Sequence, residues 1–318
     1  MTKLITLLFF ISLILGLSSN SWMMMWMSME MNLMTFLFFI MKKKYNLNES
    51  TMKYFIIQSC GSLIFLFSIS MNIKFFTQEF LSSAMIPPIA LALKSGMAPL
   101  HSWMPGIVKN FNFNSLILFL TFQKIIPLFI MFSSWYMTSL WFAILSVMVG
   151  SLSGLNQSSL IKMLLFSSVN NTGWMIISLS LSMNSFCVFF LIYLITNWTL
   201  IKFLEIMKIK WMIQIKKSNF MVKTNLMILF LSLSGLPPFM GFVPKWIIIY
   251  DLSMNNSLLS FYMIFWSLLT LYFYIKMTST TLMNATCYPK ITLLNPLFSN
   301  YLLLTINILG MLLWITLT

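Results

Sequence analysis

Apolar stretches about 20 residues long follow one another along almost the whole chain, separated by short clusters of Asn, Lys, Pro and Gly. A hydrocarbon core of about 30 Å takes roughly 20 helical residues to cross, so each stretch predicts one membrane-spanning helix. The breaks place spans near 4–20, 22–41, 52–72, 78–95, 113–132, 136–155, 160–182, 184–204, 225–250, 257–277 and 297–317. The expected fold is an all-α polytopic transmembrane helical bundle of about eleven helices, a single membrane domain over 1–318. Barrel strands would alternate polar and apolar residues over about 10 positions, and these runs do not. Lys3 ahead of the first span gives it some features of a secretory signal. Membrane spans continue at once with no small-residue cleavage site before a mature domain, so a retained helix is expected.

Composition agrees with lipid as the solvent: 59% of residues are hydrophobic and 8% charged, where soluble domains carry about 25% charged. The net charge of +14 would suggest nucleic acid in a soluble protein. Here the basic residues, all nineteen of them Lys, are scattered between spans and form no stripe, so no nucleic-acid partner is expected. They read as topology signals. Fifteen fall in segments on the N-terminal side of an eleven-span chain, Lys74 falls opposite, and three lie within spans. The positive-inside rule therefore puts the N-terminus in the cytoplasm-equivalent compartment and the C-terminus across the membrane.

The three lysines inside spans are Lys94, Lys124 and Lys245, joined by Glu30. Each charge at mid-membrane costs about 2.5 to 3.5 kcal/mol unless paired or hydrated. Lys124 and Glu30 sit near the centres of their spans, too deep for side chains to reach the interface. Such residues either pin helices together through buried hydrogen bonds or carry ions and protons. Gly and Pro favour the second reading, because they crowd around two of the lysines. Pro87, Pro88, Gly96, Pro99 and Pro105 surround Lys94; Gly235, Pro237, Pro238, Gly241 and Pro244 precede Lys245. Interrupted spans in corresponding places of two halves point to a transporter built from repeats. Repeats of about 1–135 and 136–278 would each hold five spans. Consecutive units with odd span counts insert upside down relative to each other, which predicts an antiporter-like inverted repeat followed by a C-terminal helix near 297–317.

Other chemistry has little to work with. His101 is the single His, and Cys60, Cys187 and Cys287 lie far apart without a CxxC pair, so haem or iron–sulfur ligation within this chain is not expected. No dinucleotide-binding or P-loop run appears. His101, in Pro-Leu-His-Ser-Trp-Met-Pro, is either a proton relay or a hydrogen-bonding fixture beside a helix break.

Several ordered runs carry a specific resemblance: Ser-Asn-Ser-Trp at 19–22, Met-Glu-Met-Asn-Leu at 29–33, Leu-Lys-Ser-Gly-Met-Ala-Pro-Leu-His-Ser-Trp-Met-Pro at 93–105 and Phe-Gln-Lys-Ile-Ile-Pro-Leu at 122–128. Gly-Leu-Asn-Gln-Ser-Ser-Leu at 154–160, Phe-Ser-Ser-Val-Asn-Asn-Thr-Gly-Trp at 166–174 and Leu-Ser-Gly-Leu-Pro-Pro-Phe-Met-Gly-Phe-Val-Pro-Lys-Trp at 233–246 continue the order. Together they resemble the mitochondrially encoded NADH dehydrogenase subunit 2 family of animals, an antiporter-like subunit of the membrane arm of respiratory complex I. Absence of Arg beside abundant Met, Ile, Phe and Asn resembles products of an A+T-rich organelle genome, of arthropod type. The family's animal members lack three N-terminal helices of bacterial relatives, so the resemblance also implies eleven spans.

It further implies proton translocation through Glu30 and Lys94 as an interacting acid and base, Lys124 as a central relay and Lys245 as its partner in the second broken helix. Electron transfer from NADH to ubiquinone would lie in other subunits, which hold NAD, FMN, the iron–sulfur clusters and ubiquinone, leaving no cofactor in this chain. Implied partners are other membrane-arm subunits, notably NADH dehydrogenase subunits 4 and 4L, and inner-membrane phospholipids. The implied location is the mitochondrial inner membrane, with the N-terminus in the matrix and the C-terminus in the intermembrane space. The chain departs from the family pattern at Ile161 and Asn171, where Arg and His are frequent, and at Leu100, where Phe is. Loss of His at 171 leaves Lys162 and waters as relay candidates there; Lys162 itself reads more readily as an interfacial anchor. A free-standing cation/proton antiporter and a non-conducting spacer are the competing functional classes.

Overall fold

Helices begin and end where the apolar runs do. The structure, a computed structural model, describes residues 2–41, 46–74, 81–216 and 220–283. In chain order these form α1 (Thr2–Ser18), α2 (Trp22–Ile40), α3 (Asn46–Lys74), α4 (Leu81–Ser95), α5 (Met104–Val108), α6 (Phe113–Leu120), a 3-10 turn (Phe122–Lys124), α7 (Ile125–Ser134) and α8 (Tyr136–Gly154). Then follow α9 (Leu160–Leu181), α10 (Met183–Met207), α11 (Met212–Lys216), α12 (Phe220–Ser234), α13 (Phe242–Asn255) and α14 (Ser257–Met283). Each of the first ten expected spans coincides with one helix or with a broken pair. The eleventh, near 297–317, lies outside the described residues, as do Lys290 and the side chains of Lys42 to Lys44, Lys74, Lys216 and Lys217.

Lipid as solvent explains which faces are apolar. Leu258 and Phe261 of α14 are 85% and 70% exposed, which an apolar surround makes favourable. Serines inside the spans return their hydroxyl protons to their own helix: Ser12 donates to the Phe9 carbonyl, Ser62 to Ser59 and Ser167 to Leu164, each at 2.7–2.8 Å. A polar side chain satisfied this way adds little cost in an apolar medium.

The chain divides into two compact units, Met1–Ser146 and Val147–Thr318. In the first, α1 packs on α2, α3 on α4, and α4 on α7. In the second, α9 is buried on nearly every face, with α10 and α13 against it, while α12 packs on α10 and α14. Gly150 of α8 lets that helix cross α9 closely: a Cβ there would lie 2.6 Å from the Asn170 amide nitrogen. Small residues four apart, Ser146, Gly150 and Gly154, are the usual means of such approach between membrane helices.

Two features depart from the sequence reading. The span expected as one helix over 113–132 is broken at Phe122–Lys124. Pro127 accounts for it, since its ring excludes the carbonyl of Gln123 four residues back and it has no N–H to offer that oxygen. Lys223, assigned by pattern to an interhelical loop, is instead 4% exposed within α12.

Candidate functional site

Both interrupted spans end in the same way. After α4, Gly96 takes φ +69° and the Met97 amide donates back to the Ala92 carbonyl at 3.0 Å. After α12, Gly235 takes φ +83° and the Leu236 amide donates to Leu231 at 3.4 Å. This is a Schellman closure, and it requires a left-handed residue that glycine adopts without cost. A helix stopped within an apolar layer leaves its last carbonyls in need of donors.

In the first unit, Gln58 Nε2 of α3 donates to the Lys94 carbonyl at 3.1 Å. The Lys94 side chain, on the last turn of α4, brings its ammonium to 3.8 Å from Glu30 Oε1 of α2. The two are unequally placed, with side chains 4% and 23% exposed respectively. A cation at the carbonyl end of a helix is favoured by the helix dipole. Gly61 on α3 makes room for the stem: a Cβ there would sit 2.9 Å from Lys94 Cγ. Lys94 borders a small cavity of about 20 Å³ shared with Asn32, Tyr54, Gln58 and Gln123. Gln123 Nε2 donates to Asn32 Oδ1 at 3.3 Å. Its neighbour Lys124, 2% exposed, stands on the 3-10 turn.

In the second unit, the first turn of α13 carries Lys245, 6% exposed. Its ammonium donates to the Ser234 carbonyl, at the end of α12, at 2.8 Å, and lies 5.8 Å from the centre of the Trp174 ring. Both contacts favour a cation. Lys245 borders a small cavity of about 20 Å³ with Asn171, Tyr193, Thr196 and Ser232. Thr196 and Asn197 turn their donors to the Ile192 and Tyr193 carbonyls of α10. Gly241 closes the site, because a Cβ there would overlap the Ser232 carbonyl oxygen.

The structure therefore joins Glu30 to Lys94 and puts Lys124 in the same unit, on a turn the sequence did not reveal. Lys245 belongs to the other unit's cavity. Asn171 lines that cavity, while Lys162 is half-buried at the start of α9. Tyr54, Gln58 and Tyr193 were not anticipated; uncharged polar residues in a span give no signal separating a cavity wall from a packed surface. Among the described residues no group of three or more His, Cys, Asp or Glu is placed to hold a metal ion.

His101 occupies the connection between α4 and α5, half-buried, and is not among the residues bordering the first cavity. Burial pulls its pKa below the ordinary value of 6.5, partly opposed by the Pro99 carbonyl. Its folded pKa is depressed, so its neutral form contributes stability above about pH 6.5, lost as pH falls through the folded pKa. His101→Gln is expected to leave the pH profile of proton pumping unchanged between about pH 7 and 8. A displaced profile in that window would mark it as a titrating relay.

Residues 19–271 match the family described as NADH:quinone oxidoreductase/Mrp antiporter, transmembrane. The chain is 35% identical over 302 residues to NADH-ubiquinone oxidoreductase chain 2 of Anopheles gambiae, covering 89% of this chain and 87% of that one. It is 32% identical over 309 residues to the protein of that name from Sylvisorex johnstoni, covering 91% and 88%. Among solved structures, a chain of respiratory complex I from Thermus thermophilus with bound aureothin superposes with a TM-score of 0.80 at 17% identity, covering 99% of this chain and 78% of that one. A chain of the membrane-bound sulfane sulfur reductase, an archaeal respiratory membrane complex, gives 0.81 at 18% identity, covering 98% and 73%. At such identities the structures speak for the fold alone; it is the family match and the curated relatives that show the chain to belong to the NADH:quinone oxidoreductase/Mrp antiporter transmembrane family, within the group of NADH-ubiquinone oxidoreductase chain 2.

Proposed function

We propose that this chain is a proton-translocating subunit in the membrane arm of respiratory complex I, relaying protons through Glu30, Lys94, Lys124 and Lys245. The relatives' name and the family's inclusion of Mrp antiporters support that class over a spacer. NADH-to-ubiquinone electron transfer takes place in other subunits, which hold NAD, FMN, iron–sulfur clusters and ubiquinone. The chain spans the mitochondrial inner membrane with its N-terminus in the matrix and its C-terminus in the intermembrane space. It neighbours NADH dehydrogenase subunits 4 and 4L. The chain carries an inverted repeat over about 1–135 and 136–278.

The ion pair at a helix break carries this reading. At 3.8 Å, Glu30 and Lys94 are close enough to attract strongly in a low-dielectric setting, yet longer than a hydrogen-bonded pair. With the carboxylate near, Lys94 holds its proton. When the redox step in neighbouring subunits weakens the pair, the ammonium loses its partner and passes its proton through water toward Lys124 and on to Lys245. Restoring the pair reloads Lys94. Both states use the same groups, so a small change in pairing shifts the proton.

Glu30→Gln keeps size and hydrogen-bonding capacity but removes the charge. The expected result is full assembly of the complex, with protons pumped per electron reduced. Unchanged stoichiometry in sealed vesicles would overturn the relay and favour a spacer. Proton or sodium flux through the isolated chain without NADH would favour a free-standing antiporter.

A further inference from the structure

The membrane-crossing part of α14 ends near Ser279, and one turn earlier it carries the exposed Lys276. This end of α14, Met212 of α11 and the connection between α8 and α9 border an open cavity of about 510 Å³, far larger than either lysine cavity. We propose that it is a binding site for the phosphate headgroup of an anionic phospholipid, with Lys276 as the cation and the 156–158 side chains as its hydrogen-bonding rim.

The chemistry of the walls supports that occupant. Asn156, Gln157 and Ser158 supply amide and hydroxyl groups on one side, and Phe273 and Met212 supply an apolar face on the other. No bordering residue is acidic, and no carboxylate among the described residues lies within ion-pair distance of Lys276. Two other lysines of the described chain do find such partners, Lys53 with Glu49 and Lys202 with Glu205. An unpaired ammonium at the end of a membrane span, over an apolar wall, meets a ligand that is anionic at one end and apolar at the other. A free phosphate would have no use for Phe273 and Met212. The segment after α10 adds to the positive potential: the Leu160 amide donates to the Lys210 carbonyl at 3.3 Å, fixing that segment beside the rim, and Lys208 and Lys210 are exposed. Trp211 alongside is 51% exposed, as aromatic rings at lipid headgroup level are. Gly154 lets Phe273 form the floor, since a Cβ there would lie 3.1 Å from the ring.

The test uses the intact complex in phosphatidylcholine nanodiscs doped with a phosphatidylglycerol bearing a photoactivatable group near its headgroup. Peptide mapping after illumination should place the label around Met212 and Met277. Lys276→Glu should lower that label by about fivefold or more, and Lys276→Arg should retain it. Met277→Trp, which fills the cavity without touching the charge, should also lower it, and decides the matter if Lys276→Glu does not assemble. Equal labelling by photoactivatable phosphatidylcholine, displacement by millimolar inorganic phosphate, or no label at these peptides in the unsubstituted complex would each overturn the proposal. Proton stoichiometry is not the readout, so the lipid site stands or falls separately from the relay.

Discussion

Lys245→Met will abolish proton transfer through the second unit while leaving the complex assembled. Methionine fills nearly the same volume, so the cavity bordered by Asn171 and Tyr193 keeps its shape. Two opposing stability effects follow. The Ser234 carbonyl loses the 2.8 Å donor it receives from the ammonium, at a cost of about 1–3 kcal/mol. Removing a buried charge recovers a similar amount of hydration energy. A positioned proton donor, by contrast, is worth roughly 10²–10⁴ in rate, so ubiquinone reduction coupled to pumping should fall by at least about tenfold. Lys245→Arg separates the two roles. A guanidinium still donates to the α12 carbonyl but keeps its proton at all working pH values. Full assembly with lost pumping in both variants is the expected pattern. Recovery of pumping in the arginine variant would reduce Lys245 to a helix cap and sink the relay through it.

Gly241→Ala is expected to act on the fold, and severely. The added carbon would overlap the Ser232 carbonyl oxygen. Backbone cannot rotate away as a side chain can, so α12 and α13 must separate, costing about 3 kcal/mol or more. Assembled complex on native gels should fall to a small fraction of the parent level, and the Ser234 to Lys245 bond should go with it. Gly106→Ala is the matched control. A Cβ on Gly106, within α5, meets nothing within 4 Å. There the same substitution should be neutral or stabilise by about 0.5–1 kcal/mol, by reducing backbone freedom in a helix. Equal behaviour of the two variants would show that the close approach at Gly241 is not what holds the break together.

The spans were readable because lipid leaves so few options: a continuous apolar run of sufficient length must become a helix with all its backbone bonds internal. Glu30, Lys94, Lys124 and Lys245 stood out for the same reason, as charges where charge is costly. The break at Phe122–Lys124 was harder, since its cause, Pro127, lies within the next helix and looks tolerable in an apolar run. Lys223 was misassigned because a lysine near the start of a span reads as a loop residue, whereas α12 begins five residues before the apolar pattern was taken to start. Gln58 reaches the Lys94 carbonyl across 36 positions of sequence, and Gly241 matters through one oxygen of Ser232. Nothing local to either residue announces its partner. Pattern reveals which residues are anomalous; which anomalies meet depends on packing.

The two glycine-terminated breaks, aligned on Gly96 and Gly235, put Ser95 opposite Ser234 and Lys94 opposite Leu233. Lys245 then falls opposite Gly106. Each break thus ends a helix in an electronegative terminus, with one lysine on the last turn of the helix before it and the other on the first turn of the helix after it. The address is fixed by backbone and the occupant is not. A column-by-column comparison of the two segments therefore pairs neither lysine with the other and scores the charge as missing from both.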